Sequence, residues 1–340
     1  MSTIVTFGEV MLRLSPPGYT RFTQAASLEL TFGGAEANVA VALAQLGLET
    51  RFVTVLPDND LAQACINQLR GLGVDTRFIQ RGGERMGIYF AEKGASQRPS
   101  SVIYDRAASA IARMDPSSFD WKAMLAGASW FHCTGITPAL SEPAAAGTRL
   151  GLSAAKEAGL ITSCDLNYRK KLWSRNEARR VMGELMPLVD YCIANEEDAD
   201  DVFGIKAGST DVTSATLDRG RYQDVARQLS ERFDLAGVAI TLRESLSASR
   251  NGWSGMLYTS GKAVFSRRYE IDIVDRVGGG DAFGAGLIYA LVNGKDPASA
   301  IELASAASCL KHTIEGDYCL VKLSEVERLA GGDASGRVQR

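Results

Sequence analysis

Apolar and polar positions come in blocks along this chain, and the period of the blocks switches regularly. Short apolar runs at 4–7, 51–56, 130–133, 160–165, 191–194 and 238–242 predict strands. Between them, apolar residues at helical spacing predict helices at 61–72, 142–158, 175–186, 223–233, 282–293 and 298–312. Another helix follows Gly33-Gly34, with Val39, Ala42, Leu43 and Leu46 on one face and Gly47 at its end. Ser324-Glu325-Val326-Glu327 reads as a capping box opening a last helix, and the tail 331–340 reads as frayed. Strands alternating with helices predict an α/β fold: a largely parallel sheet covered on both faces, with ligands beyond the carboxyl ends of its strands.

One region breaks this rhythm. Residues 86–92 and 101–106 read as two short strands joined by the polar loop 93–100, with no long helix between them. With the extended stretches inside 9–32, they predict a discontinuous β lid, from about 9–32 and 82–107, beside one unit spanning 1–330. Tyr89, Tyr104 and Arg106 fall on this lid as one polar-aromatic surface, or as an exposed hairpin whose tyrosines reach for water.

Composition narrows the class. The formal charge of −3 over 340 residues points away from nucleic acid and from anionic membranes. No apolar run nears the roughly 18 residues of a bilayer span. The N-terminus lacks a signal-peptide pattern, and six scattered cysteines with no C-x-x-C suit free thiols in a reducing cytoplasm. Two histidines leave little for a zinc site or a His-based triad.

The densest chemical signal is Asp275-Arg276-Val277-Gly278-Gly279-Gly280-Asp281 running into a helix. Consecutive glycines leave backbone N–H groups uncovered at a helix N-terminus, where free donors and the helix dipole favour an anion. The spacing fails the dinucleotide fingerprint, because Phe283 stands where its last glycine belongs. It fails the P-loop, because Ala285 stands where Lys is required. A phosphoryl-transfer loop with Asp281 as base remains, beside the plainer reading of a tight turn with Asp281 as a helix cap.

Polar residues collect where the predicted strands end. Asp165, Asn167 and Arg169 share one side if their strand continues, and Arg169 offers a fork for a carboxylate or phosphate, or pairs with Asp165. Asn195-Glu196-Glu197-Asp198 suits magnesium or an acidic helix start. Arg243 meets nucleotide phosphate or solvent. Asn38, on the first turn after Gly33-Gly34, can hydrogen-bond a ligand or local backbone.

Gly33-Gly34-Ala35-Glu36-Ala37-Asn38-Val39-Ala40 and the stretch from Asp275 to Phe283 together resemble the two signatures of the ribokinase-like (PfkB) carbohydrate kinases. Their order and spacing match over nearly the whole chain. Gly8-Glu9-Val10-Met11-Leu12-Arg13-Leu14, the stretch from Arg98 to Arg106 and Asp275-Arg276-Val277-Gly278 further resemble bacterial 2-keto-3-deoxygluconate kinases. The resemblance implies a three-layer α/β/α fold with a small β-sheet lid. It implies Asp281 as general base, and Gly278, Gly279 and Gly280 as anion hole. Gly33, Gly34 and Asn38 would hold the sugar; Tyr89, Tyr104 and Arg106 would reach it from the lid. Arg169 would face a substrate carboxylate, and Asp317 would be a further candidate for sugar contact. Asn195, Arg243, Gly278 and Gly280 would serve the nucleotide, and the helix at 298–312 would wall the adenine pocket. Asn195, Glu197 and Asp198 would serve the metal, directly or through water. ATP and Mg2+ are the implied cofactors, with a monovalent cation as an optional third.

Three departures mark this chain. Arg276 replaces the usual Thr, Gly279 the usual Ala, and Asp198 the usual Glu of Asn-x-x-Glu. Glu9 stands near a usual sugar-holding Asp and has no assigned role. The expected activity is ATP-dependent phosphorylation of 2-keto-3-deoxygluconate at its primary hydroxyl. A fructose, ribose or nucleoside kinase is the neighbouring alternative, and a catalytically silent sugar-binding regulator is the alternative of another class. Exposed lid strands predict a homodimer.

Overall fold

The computed structural model describes residues 2–195, 197–206, 219–333 and 335–336. Glu196 of the acidic stretch, and Ala334 and 337–340 of the tail, lie outside the described residues.

Strands in chain order are β1 (Thr3–Phe7), β2 (Met11–Ser15), β3 (Glu29–Gly33), β4 (Glu49–Leu56) and β5 (Val74–Asp75). Then come β6 (Ile79–Arg81), β7 (Ile88–Glu92), β8 (Ser101–Asp105), β9 (Ala128–Thr134) and β10 (Ile161–Asp165). The last are β11 (Tyr191–Ala194), β12 (Gly237–Ser245), β13 (Arg250–Thr259), β14 (Lys262–Phe265) and β15 (Tyr269–Asp272). An eleven-stranded sheet runs β14-β13-β12-β11-β10-β9-β1-β4-β5, with β15 beside β13 and β6 beside β4. From β12 through β5 the pairing is parallel. All six predicted strands lie in that part.

The two-residue period of a strand sends alternate side chains to opposite faces, and each face builds its own core. On β1, Val5 and Phe7 pack with Phe131 and Cys133 of β9 and with residues of the helices Glu142–Glu157, Arg175–Leu185 and Arg219–Phe233. Ile4 and Trp130 point the other way, to the helices Ala35–Gln45, Gly279–Val292, Pro297–Lys311 and Leu323–Ala330. Three layers result. The helix Gly279–Val292 is apolar nearly all round because it is central. A Cβ on its Gly286 would come within 2.8 Å of Ala304 Cα, so the two helices touch backbone to backbone.

A separate four-stranded sheet has the order β3-β2-β7-β8 and matches the predicted lid segments. Its inner face shares a core with the Ala35–Gln45 and Asp60–Gly71 helices through Val10, Leu12, Phe32 and Met86. Leu30, Ile103 and Tyr104 stay exposed at its edges, β3 and β8.

The structure corrects two readings. The antiparallel flank β13-β14-β15 was not foreseen; glycines 252 and 255 interrupt its pattern. The last helix begins at Leu323, and Glu325 accepts from the Lys322 backbone N–H at 2.8 Å, so the capping box does not start at Ser324. Among the described residues no helix is long and apolar enough to cross a membrane.

Candidate active site

The parallel strands end on one side in a cavity of about 350 Å³. The Gly278 turn enters its wall in the left-handed region, φ 82°, and a Cβ there would sit 2.0 Å from the Asp317 carbonyl oxygen. The helix starts at Gly279, three residues earlier than predicted, which puts Asp281 in its first turn. No side chain caps this helix. Asp281 is therefore no cap: its Oδ2 accepts from Asn38 Nδ2 at 2.6 Å. Asn38 Oδ1 accepts in turn from Gly34 N–H at 3.2 Å, so the two glycine-rich turns are joined through one amide.

The glycines do different things. Gly34, Gly278 and Gly280 line the cavity. Gly280 is open, with nothing within 4 Å of a would-be Cβ, and its N–H belongs to the first turn, where no intrahelical acceptor exists. Gly279 stands behind the wall: a Cβ there would meet the His312 ring at 2.4 Å, and its N–H points to the Arg276 carbonyl at 3.4 Å. Gly33 also stands behind the wall, against the Asp317 carboxylate.

The lid reaches the same cavity. Tyr89 donates its hydroxyl to the Asp317 carboxylate at 2.6 Å, and its ring lies 6.0 Å from that of Tyr104. The Arg106 guanidinium lies 5.4 Å over the Tyr104 ring. Its charge is already answered: Arg106 Nε donates to Glu9 Oε2 at 2.8 Å, and Ser109 donates to the other Glu9 oxygen at 2.5 Å. Behind them lies a buried cluster. Arg13 of β2 donates to Asp275 at 2.6 Å and to Asp317 at 2.7 Å.

From the sheet, Asp165, Asn167, Arg169, Asn195, Asp198, Thr241 and Arg243 line the cavity. β10 stops at Asp165, and Asn167 turns with φ 39°, yet all three residues of the predicted Asp165, Asn167, Arg169 set face inward. Arg169 makes no ion pair among the described residues; one nitrogen donates to the Tyr168 carbonyl at 3.1 Å. The Asp198 carboxylate is taken up by the N–H groups of Tyr168 and Asn195 at 3.1 and 3.0 Å. Glu197 is exposed and lies outside this lining. Among the described residues no group of three or more His, Cys, Asp or Glu is arranged to hold a metal ion.

Several buried acids line this space, and burial raises Glu36, Asp165, Asp198, Asp281 and Asp317. It pushes the Asp281 carboxyl up to about 6, with the Asn38 hydrogen bond, Arg169 and Lys311 pulling the other way. Glu36, accepting from Thr134 and Thr137, is pushed up to about 7 by burial. Asp165 rises well above the carboxylate range through burial and the nearby Asp198 and Asp281. His312 falls to about 4 through burial, so it stands neutral. Glu9, Arg13 and Glu36 escaped the sequence reading of the site; a charged residue inside an apolar strand or helix face was the available signal.

The first turn of one helix thus sets an acid beside free N–H groups, held by an amide and under a β lid. Residues 1–320 match the profile of the pfkB family carbohydrate kinases, and the chain belongs to that family. A 2-dehydro-3-deoxygalactonokinase of Haloferax volcanii is 40% identical over 334 residues, 97% of this chain and 98% of that protein. The crystal structure of a 2-dehydro-3-deoxygluconokinase from Thermotoga maritima is 50% identical, with TM-score 0.94 over 98% of this chain and 100% of that one. A PfkB family carbohydrate kinase from Listeria grayi is 36% identical, with TM-score 0.90 over 97% and 100%.

Proposed function

We propose that this chain uses ATP to phosphorylate the primary hydroxyl of 2-keto-3-deoxygluconate, giving the 6-phosphate. The observation that carries the reading is the Asn38–Asp281 hydrogen bond at 2.6 Å, which aims one carboxylate into a cavity bordered by Gly278 and Gly280. Asp281 takes the hydroxyl proton, and the oxygen attacks the γ-phosphorus while ADP leaves. A carboxyl near 6 is a stronger base than an ordinary Asp and is still ionised at neutral pH. The backbone N–H groups face the charge of the transferring group, where fixed dipoles act without reorganising. The lid sheet excludes water, so that ATP is spent on the sugar.

An acid substrate fits Arg169, which lines the cavity and makes no ion pair among the described residues, though Asp165, Asp198 and Asp281 feel its charge. Arg106 fits less simply, because Glu9 holds it. That pair favours a neutral sugar as the second reading. The two relatives named for sugar acids differ in substrate configuration at one carbon, so the epimer belongs in the test. Mg2+ fits through water beside Asn195 and Asp198, whose carboxylate already accepts two N–H groups; it would neutralise phosphate charge. Six buried free thiols suit a reducing cytoplasm. The exposed edges β3 and β8 suit pairing with a second copy, which light scattering at micromolar concentration tests: a monomer rejects it.

The experiment is ADP release with ATP and Mg2+, comparing 2-keto-3-deoxygluconate, its galactonate epimer, fructose and ribose. Turnover confined to the keto acids upholds the reading. Turnover confined to neutral sugars replaces it.

A further inference from the structure

The helix Pro297–Lys311 ends against the glycine turn, and the residues at its end back that turn one by one. Ser308 donates its hydroxyl to the Gly279 carbonyl at 2.7 Å. The His312 ring fills the space behind Gly279. The His312 carbonyl accepts from the N–H groups of Val274 and Asp275 at 2.8 and 3.2 Å. Lys311 takes the place behind Gly278: a Cβ on that glycine would lie 3.2 Å from Lys311 Cε, and against the Asp317 carbonyl on its other flank.

Lys311 is the member of this platform that the reading above leaves without a task. Its side chain is fully buried and stands outside the cavity lining. A lysine in the last turn of a helix ordinarily answers the helix dipole from the surface, with its charge in water. Here Nζ donates to the Ile314 carbonyl at 3.2 Å and makes no ion pair among the described residues. An ammonium carries three donors, so burying one against a single acceptor is costly. Burial lowers the pKa of Lys311, and Asp275 and Asp317 raise it. Both of those acids are already held by Arg13, so two cations balance two carboxylates. An apolar side chain would fill the same space without a buried charge. What the amine adds is that charge, placed directly behind the glycine that opens the anion-binding helix.

We propose that Lys311 is a positioning residue for phosphoryl transfer. Its ammonium is a fixed internal cation that holds the Gly278 turn to the 314–317 loop and adds positive charge behind the helix N-terminus where the transferring group belongs. This rests on the kinase reading. Lys311 touches neither reactant. The substrate hydroxyl gives its proton to Asp281, and its oxygen forms a bond to the γ-phosphorus. The bond from that phosphorus to the β–γ bridging oxygen breaks, and ADP keeps the electron pair. Through the turn, the ammonium acts on the charge of the transferring group in a closed space that water does not screen. It also favours the ionised form of Asp281. A monovalent cation, the optional third cofactor, then has no task left at this turn.

The test uses the full chain with Lys311→Met, which keeps the side-chain bulk and removes the charge, and Lys311→Ala, which leaves room for a small ammonium ion. Steady-state assays give kcat and KM, and calorimetry gives binding of 2-keto-3-deoxygluconate. Lys311→Met should lower kcat by about 10²-fold, the lower end of the scale for losing one preorganised electrostatic contact. Its KM and affinity for the sugar acid should stay as in the wild type, which also reports a folded site. Ethylammonium chloride should restore turnover to Lys311→Ala, and tetramethylammonium chloride at the same ionic strength should not. The wild type should turn over at one rate in potassium and in tetramethylammonium chloride. Four results would each overturn the proposal and leave the kinase reading standing: wild-type kcat in Lys311→Met, a loss of sugar-acid binding as large as the loss of kcat, a folded Lys311→Ala that ethylammonium does not restore, or a wild type that needs potassium. If Lys311→Ala does not fold, kcat and binding of Lys311→Met decide alone. A wild type that turns over no sugar with ATP would overturn the kinase reading with it.

Discussion

Asn38 Nδ2 lies 2.6 Å from Asp281 Oδ2, a contact between residues 243 positions apart. It ties the first glycine-rich turn to the second and fixes the direction of the carboxylate. It also favours the charged form of that carboxylate, against burial. Activity should therefore fall with a midpoint near pH 6 as Asp281 takes up its proton. Asn38→Ala removes the donor, so the midpoint should move to higher pH while kcat falls. A pH–rate profile of both proteins checks this; an unmoved acid limb would separate Asn38 from the base.

The same group should cost stability. The folded pKa of about 6 lies above the ordinary 3.8, so the folded state holds its proton more tightly than the unfolded chain. As pH rises between these values, the unfolded chain loses its proton first, and the Asp281 contribution to stability is lost. Asp281→Asn does not titrate. Its Tm should exceed that of the wild type at about pH 7.5 and match it at about pH 4, while turnover disappears. Scanning calorimetry at the two pH values reads the difference.

Arg13 balances two buried acids, Asp275 and Asp317. Arg13→Met would leave both carboxylates without their cation, and breaking a buried pair from one side costs about 3–5 kcal/mol. Urea unfolding should show that loss. Because Arg13 comes from the lid strand β2 and Asp275 opens the glycine turn, the variant should also lose turnover.

Two adjacent glycines should answer differently to one methyl group. Gly279→Ala drives a Cβ into His312 and should lower Tm sharply. Gly280→Ala meets no protein atom within 4 Å, so Tm should hold, while the methyl projects where the phosphoryl group belongs and kcat should collapse. Melting curves and turnover measured on both variants separate packing from chemistry.

The parts of this site that could be read in the sequence are local ones. Gly33-Gly34 and Gly278-Gly279-Gly280-Asp281 announce themselves because their glycines stand side by side, Gly278 for its positive φ and Gly33, Gly34 and Gly279 for close packing. The parallel strands were legible because each is one apolar run between helical stretches. The Arg13–Asp275–Asp317 cluster was not, since its members come from three distant segments and only folding brings their charges together. The Glu9–Arg106 pair hid for the same reason, and it changes what Arg106 can do. The flank β13-β14-β15 blurred where Gly252 and Gly255 break the apolar pattern; Gly255 is needed there because a Cβ would meet the Phe283 ring at 2.6 Å. Its turn did leave a signal, Ser260-Gly261, both with positive φ.

The most direct test of the account is single-turnover phosphate transfer from labelled ATP to 2-keto-3-deoxygluconate by wild type and Asp281→Asn, with sugar-acid binding measured on the same samples. The account predicts rapid formation of the 6-phosphate by the wild type, and a variant that binds the sugar acid normally but transfers nothing. Full transfer by Asp281→Asn would contradict it.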